Sequence, residues 1–100
     1  MTTTTAREKE VLNGIIEVIS SRVKPDSIYL FGSRAKETGN FYSDFDIWIE
    51  AEEPDFKVKI DIMEDIEKFS GLYTVDLIFS GGADEAFKDI VMKTGVKVYG

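Results

Sequence analysis

Asp44 and Asp46 open an apolar run, Ile47-Trp48-Ile49, and with ten residues between them and Asp44, the pair Gly32-Ser33 closes another, Ile28-Tyr29-Leu30-Phe31. In a strand, residues two apart point to the same side, so the two carboxylates stand together. Adjacent carboxylates repel each other, which raises a proton affinity or demands a cation. Mg²⁺ relieves that repulsion, prefers oxygen ligands and lets phosphate complete its shell. Gly32 permits a sharp turn and a close approach of phosphate to the backbone, and Ser33 adds a hydroxyl donor. Arg34-Ala35-Lys36 can then open a short helix whose N-terminus favours anions. Each half alone is also an ordinary turn or strand start in water. Together they are equipment for a metal-bound phosphate.

A third carboxylate, Asp76, sits in Thr74-Val75-Asp76-Leu77-Ile78, an otherwise apolar run. Inside a buried strand it is costly unless paired or metal-bound; on an edge strand it simply faces solvent. If that strand neighbours the one headed by Asp44, three carboxylates meet and can hold two metal ions for in-line displacement at phosphorus. The chain has no His and no Cys, which makes Asp76 the natural acceptor for a proton from an attacking hydroxyl. Other residues carry two readings each. Arg34 suits a phosphate contact or a bracing pair with a carboxylate. Trp48 shares the strand face of the Asp pair and suits a nucleotide cleft, a partner surface or half-buried sheet packing. Ser80-Gly81-Gly82 suits a ligand approach or a flexible turn. Glu50, Glu52, Glu53 and Asp55 read as a solvated acidic edge that would attract a basic partner.

The elements that must position these residues are legible as periodicities. Thr5 with Glu8 predicts a capping box, followed by a helix with an apolar stripe of Leu12, Ile15, Ile16, Ile19 and Val23 that ends at Pro25. Strands are expected over Ser27 to Phe31 and Asp44 to Ala51, joined by a polar connection from Arg34 to Ser43 with its turn at Gly39-Asn40. After Pro54 the pattern is double. Phe56, Val58, Ile60 and Ile62 alternate as in a strand, while Phe56, Ile60, Met63, Ile66 and Phe69 form a helical stripe. The length and the helix-favouring Glu64-Asp65-Ile66-Glu67-Lys68 predict a helix stopped by Gly71. A third strand from Tyr73 to Phe79, a helix from Ala83 to Lys93 and a short edge strand from Val96 to Tyr99 complete the order. The expected fold class is α+β, a mixed sheet of three main strands plus that short edge strand, with helices mainly on one face.

The 100 residues predict one domain, residues 1–100, with one core. At 43% hydrophobic and 31% charged the chain reads as soluble and globular. A net charge of -7 argues against general nucleic-acid binding, which needs a positive face. The apolar runs are too short to span a membrane. Met1 to Ala6 has no apolar stretch of the secretory kind, and zero cysteines excludes disulfides, which together fit a cytoplasmic protein.

Three segments carry a family resemblance: Leu30-Phe31-Gly32-Ser33-Arg34-Ala35-Lys36, Ser43-Asp44-Phe45-Asp46-Ile47 and Val75-Asp76-Leu77. They resemble the nucleotidyltransferase superfamily that includes DNA polymerase beta and kanamycin nucleotidyltransferase. At average residue frequencies of about 5–7%, the four fixed positions of Gly-Ser, ten residues, Asp-x-Asp match by chance about once in 10⁵ starts. The chain is similar over nearly its whole length to the minimal nucleotidyltransferases often encoded beside a HEPN-domain protein as a toxin–antitoxin pair. One departure is that Glu37-Thr38 intervene between Lys36 and Gly39 where many relatives have Gly at once, which implies a changed loop shape.

The resemblance implies that Gly32 and Ser33, with Arg34 beside them, hold a nucleoside triphosphate. It also implies that Asp44 and Asp46 ligate two Mg²⁺ ions, and that Asp76 ligates the catalytic ion and helps activate the acceptor hydroxyl. The implied activity is transfer of AMP from ATP to a hydroxyl, a tyrosine on a basic HEPN toxin, with this chain as the antitoxin. A chain this short has no spare part for the acceptor, which must come from a partner or a second copy, so a homo- or hetero-oligomer is expected. The other reading left open is a non-catalytic binding module that neutralises a partner by contact or senses nucleotide. A P-loop is excluded, because Gly-x-x-x-x-Gly-Lys-Ser/Thr is absent.

Overall fold

The first helix, α1, runs Ala6–Val23, and its inward stripe is Val11, Ile15 and Ile19, all fully buried. These recur every four residues, one face of a helix. The sequence stripe missed Val11; Leu12, Ile16 and Val23 flank the buried line and are only partly covered. A computed structural model describes residues 6–31, 45–71 and 73–100. Thr5 of the expected capping box and the 34–43 connection with its turn therefore lie outside the described residues.

After Pro25 comes β1 (Ser27–Phe31), and β2 follows at Phe45–Glu50. The segment with two periodicities is helix α2, Phe56–Ser70. It is stopped by Gly71, whose φ of 63° lies in the left-handed region that glycine enters freely. Strand β3 (Val75–Phe79), a 3₁₀ turn at Ser80–Gly82, helix α3 (Glu85–Thr94) and strand β4 (Val96–Tyr99) complete the chain. Asp84 caps α3 by accepting from the Ala86 N–H at 3.4 Å.

The strands form one mixed sheet in the order β3-β2-β1-β4. β2 and β3 are parallel, which the α2 crossover allows, while β1 is antiparallel to both β2 and β4. The fold is thus α+β with a short edge strand at Val96–Tyr99, as expected. Phe45, Ile47 and Ile49 of β2 all face one core, together with Ile15 and Ile19 of α1 and Ile62 and Ile66 of α2.

The buried face of α2 is the line Val58, Ile62, Ile66 and Phe69. The expected stripe began instead at Phe56 and Ile60, which are 73% and 40% exposed. The helix was right and its phase was not, because two apolar stripes share the segment. Gly14 of α1 lets the helices close up: a Cβ there would come within 2.6 Å of the Phe69 ring. On the outer surface Arg22 of α1 donates to Asp65 of α2 at 2.6 Å, and Asp65 also accepts from Lys68 at 3.3 Å. Arg7 donates to the Phe69 carbonyl near the α2 C-terminus, where a cation meets free carbonyls.

Candidate active site

The alternation that sends Phe45, Ile47 and Ile49 into the core turns Asp46, Trp48 and Glu50 to the opposite face. Asp46 pairs in register with Asp76 of β3 on one side and with Phe31 of β1 on the other. Register partners on adjacent strands point to the same face about 4.8 Å apart, so the two carboxylates stand next to each other across parallel strands. The entry to β2 is pinned by the Phe45 N–H donating to the Thr74 carbonyl at 2.7 Å. An edge contact between the Phe45 and Tyr73 rings, 5.5 Å between centroids, holds it further. The chain leaves β1 at Phe31, level with Asp46.

Asp46 is half-buried and Asp76 is exposed. This corrects one sequence argument: Asp76 is not a carboxylate forced into a buried strand. Among the described residues β3 is an edge of the sheet, and what distinguishes Asp76 is its register with Asp46. Two like charges at this spacing oppose each other unless a cation or a proton intervenes. An all-oxygen donor set from neighbouring strands suits a hard divalent ion such as Mg²⁺. Asp44, Gly32, Ser33 and Arg34 lie outside the described residues, and among the described residues no group of three metal-ligating side chains converges. The structure therefore brings together two of the expected site residues, Asp46 and Asp76.

The far end of this face is closed. Trp48 is fully buried, edge-on to Phe87 of α3 with ring centroids 5.7 Å apart. Phe87 in turn meets Phe31 at 5.5 Å. The indole N–H of Trp48 donates to Glu50 at 2.8 Å, satisfying the polar atom that a buried tryptophan carries. The Lys88 ammonium lies 3.7 Å from the same carboxylate. Trp48 is thus a packing residue, and Glu50 anchors it instead of forming part of a purely solvated edge.

Ser80-Gly81 is a clasp. The Ser80 hydroxyl accepts from the Ala51 N–H at 3.1 Å, and the Gly81 N–H donates to the Ala51 carbonyl at 3.1 Å. A Cβ at Gly81 would meet the Glu52 backbone at 2.9 Å. Phe87, which sequence reasoning passed over, caps the aromatic group beneath the carboxylates. Its signal was weak, a lone aromatic on a short helix.

Asp46 and Asp76 thus share one face of a mixed sheet, on the two parallel strands joined by the α2 crossover. The family model "Polymerase beta, Nucleotidyltransferase" matches residues 13–100. The chain belongs to that family and is a nucleotidyltransferase. It is 33% identical over 86 residues to the probable protein adenylyltransferase MntA of Haemophilus influenzae, covering 84% of this chain and 75% of the relative. It is 38% identical over 73 residues to a putative protein adenylyltransferase of Methanocaldococcus jannaschii, covering 70% and 72%. A toxin–antitoxin crystal structure with AMP-PNP superposes with a TM-score of 0.74 at 27% identity, over 88% of this chain and 72% of that one. A mutant MntA-HpeT toxin–antitoxin structure gives 0.70 at 26% identity, over 89% and 72%. Among the described residues no helix is long and apolar enough to cross a membrane.

Proposed function

We propose that this chain transfers AMP from ATP to a hydroxyl, a tyrosine of a partner HEPN toxin, and acts in the cytoplasm as its antitoxin. The observation that carries the reading is the register pairing of Asp46 with Asp76, in a chain whose relatives are named protein adenylyltransferases. In this reading residues 1–100 are one catalytic domain. Gly32, Ser33 and Arg34 hold the triphosphate, and Asp44, Asp46 and Asp76 hold two Mg²⁺ ions. Bound Mg²⁺ would offset the charge that develops on the phosphate oxygens.

The acceptor oxygen attacks the α-phosphorus and forms the new O–P bond. The bond from that phosphorus to the bridging oxygen breaks, and pyrophosphate leaves with the electron pair. The hydroxyl proton passes to the Asp76 carboxylate, whose exposure gives an acceptor access to it. The half-buried Asp46 lies deeper and serves to hold.

The test incubates the chain with ATP, Mg²⁺ and the protein encoded in the neighbouring reading frame. A gain in that protein's intact mass by one or more AMP groups is expected. Unchanged mass under all conditions would contradict the reading. Asp44→Asn/Asp46→Asn separates catalysis from contact: a variant that neutralises the partner as well as wild type, with no transfer by either, leaves binding as the mechanism.

A further inference from the structure

The second apolar stripe of α2 has no place in the core. Phe56, Ile60 and Met63 follow one another at helical spacing along its outer side, with the charged Glu67 one turn further on. With Val75, Asp76 and Leu77 of β3 they line a groove of about 430 Å³. Val75 and Leu77 point toward the helices whereas Asp76 points to the opposite face, so the groove wraps around the edge of the sheet. Among the described residues β3 pairs with β2 alone. Its sequence, Val-Asp-Leu-Ile-Phe, has neither the proline nor the lysine that usually protects an exposed edge.

The charge of the groove is one-sided. Glu64, Glu67 and Asp76 line it, and among the described residues neither Glu64 nor Glu67 is in an ion pair. The single lining cation, Lys59, is neutralised by Glu53 at 2.6 Å. An apolar floor, an open strand edge and an acidic rim together describe one kind of occupant, an extended segment with alternating apolar side chains and basic neighbours.

We propose that this groove seats the acceptor-bearing segment of the partner protein, which adds to β3 as a further strand. Phe56, the most exposed large apolar residue among the described residues, is the anchor position. A strand added at β3 lies about 4.8 Å beyond it. The residue of that strand opposite Asp76 then turns its side chain to the Asp76 face, where the proton must be accepted. The inference rests on the AMP-transfer reading for its choice of hydroxyl, and on the groove alone for its choice of surface.

Two surface variants test it, Phe56→Glu/Ile60→Glu and Glu64→Lys/Glu67→Lys, each checked for an unchanged melting temperature. The probe is the purified protein of the neighbouring reading frame, used in calorimetric binding without ATP and in transfer assays with it. Both variants should raise the partner Kd and apparent KM about tenfold or more and leave the KM for ATP within about twofold of wild type. Wild-type values for the partner in both variants would overturn the proposal. So would an isolated chain that dimerises through the groove, losing the dimer in Phe56→Glu/Ile60→Glu while partner KM stays put. If wild type binds the partner but transfers nothing, and the variants bind about tenfold more weakly, the groove stands and the transfer reading falls. If transfer proceeds equally in all three proteins, the reverse holds.

Discussion

The two faces of β2 are built for opposite ends. On one, Phe45, Ile47 and Ile49 are buried in a row against α1 and α2. On the other, the same strand passes from the half-buried Asp46 to the fully buried Trp48 within two residues. One face is apolar along its length. The other is sealed at the α3 end and open where two carboxylates lie side by side. The strand therefore keeps its packed positions apart from the end at which Asp46 and Asp76 stand in register.

That contrast can be broken most sharply at the carboxylates. Asp46→Asn should lower AMP transfer about 10³-fold and leave the melting temperature close to that of wild type, since it keeps the side chain's size at a position outside the core. Initial rates and thermal unfolding on the same preparation check this; a variant that loses both together would erase the division. Trp48→Ala should do the opposite, costing about 3–5 kcal/mol of stability while the KM for ATP holds in whatever fraction stays folded. A large rise in that KM with unchanged stability would return Trp48 to the nucleotide cleft. Ile47→Ala, on the wholly apolar face, should cost about 2–5 kcal/mol by urea unfolding, with rates per folded molecule unaltered.

How much of this was legible in the sequence depends on the range of the interaction. β1, β2 and β3 announce themselves because short apolar runs bounded by turn and polar residues are local signals, and the Asp-x-Asp spacing fixes which side chains share a face. The phase of α2 was not legible. Phe56-Ile60-Met63 and Val58-Ile62-Ile66 are equally good local stripes, and only the position of the sheet decides between them. Sheet packing was among the readings of Trp48, but its full burial was not legible, because it depends on Phe87 arriving from an element nearly forty residues away. For Asp76 the sequence left burial and solvent exposure open, and the structure shows exposure. The expected adjacency of its strand to β2 is present, in parallel register with Asp46. Gly32, Ser33, Arg34 and Asp44 were legible as motif alone and lie outside the described residues.

The smallest effect belongs to a region remote from both faces. The Asp65 carboxyl is held below the usual carboxylate range, chiefly by the hydrogen bond from Arg22 and then by that from Lys68. A depressed pKa contributes stability that is complete above the ordinary aspartate value and is lost as pH falls through the folded-state value. Asp65→Asn should thus lower the melting temperature slightly at neutral pH. The gap should close in acid and shrink in salt, because the Arg22 and Asp65 side chains remain 38% and 27% accessible to solvent. AMP transfer should not change, and a change would mean that the α1–α2 surface communicates with the carboxylates.

The central claim is that the carboxylates side by side on β2 and β3 perform the transfer. Its most direct test is the intact mass of the neighbouring-frame protein after incubation with ATP and Mg²⁺, using wild type, Asp46→Asn and Asp76→Asn in parallel. The account predicts AMP addition by wild type and none detectable by either variant in the time that wild type needs, with all three chains folded. Equal addition by wild type and a folded Asp46→Asn or Asp76→Asn chain would contradict it.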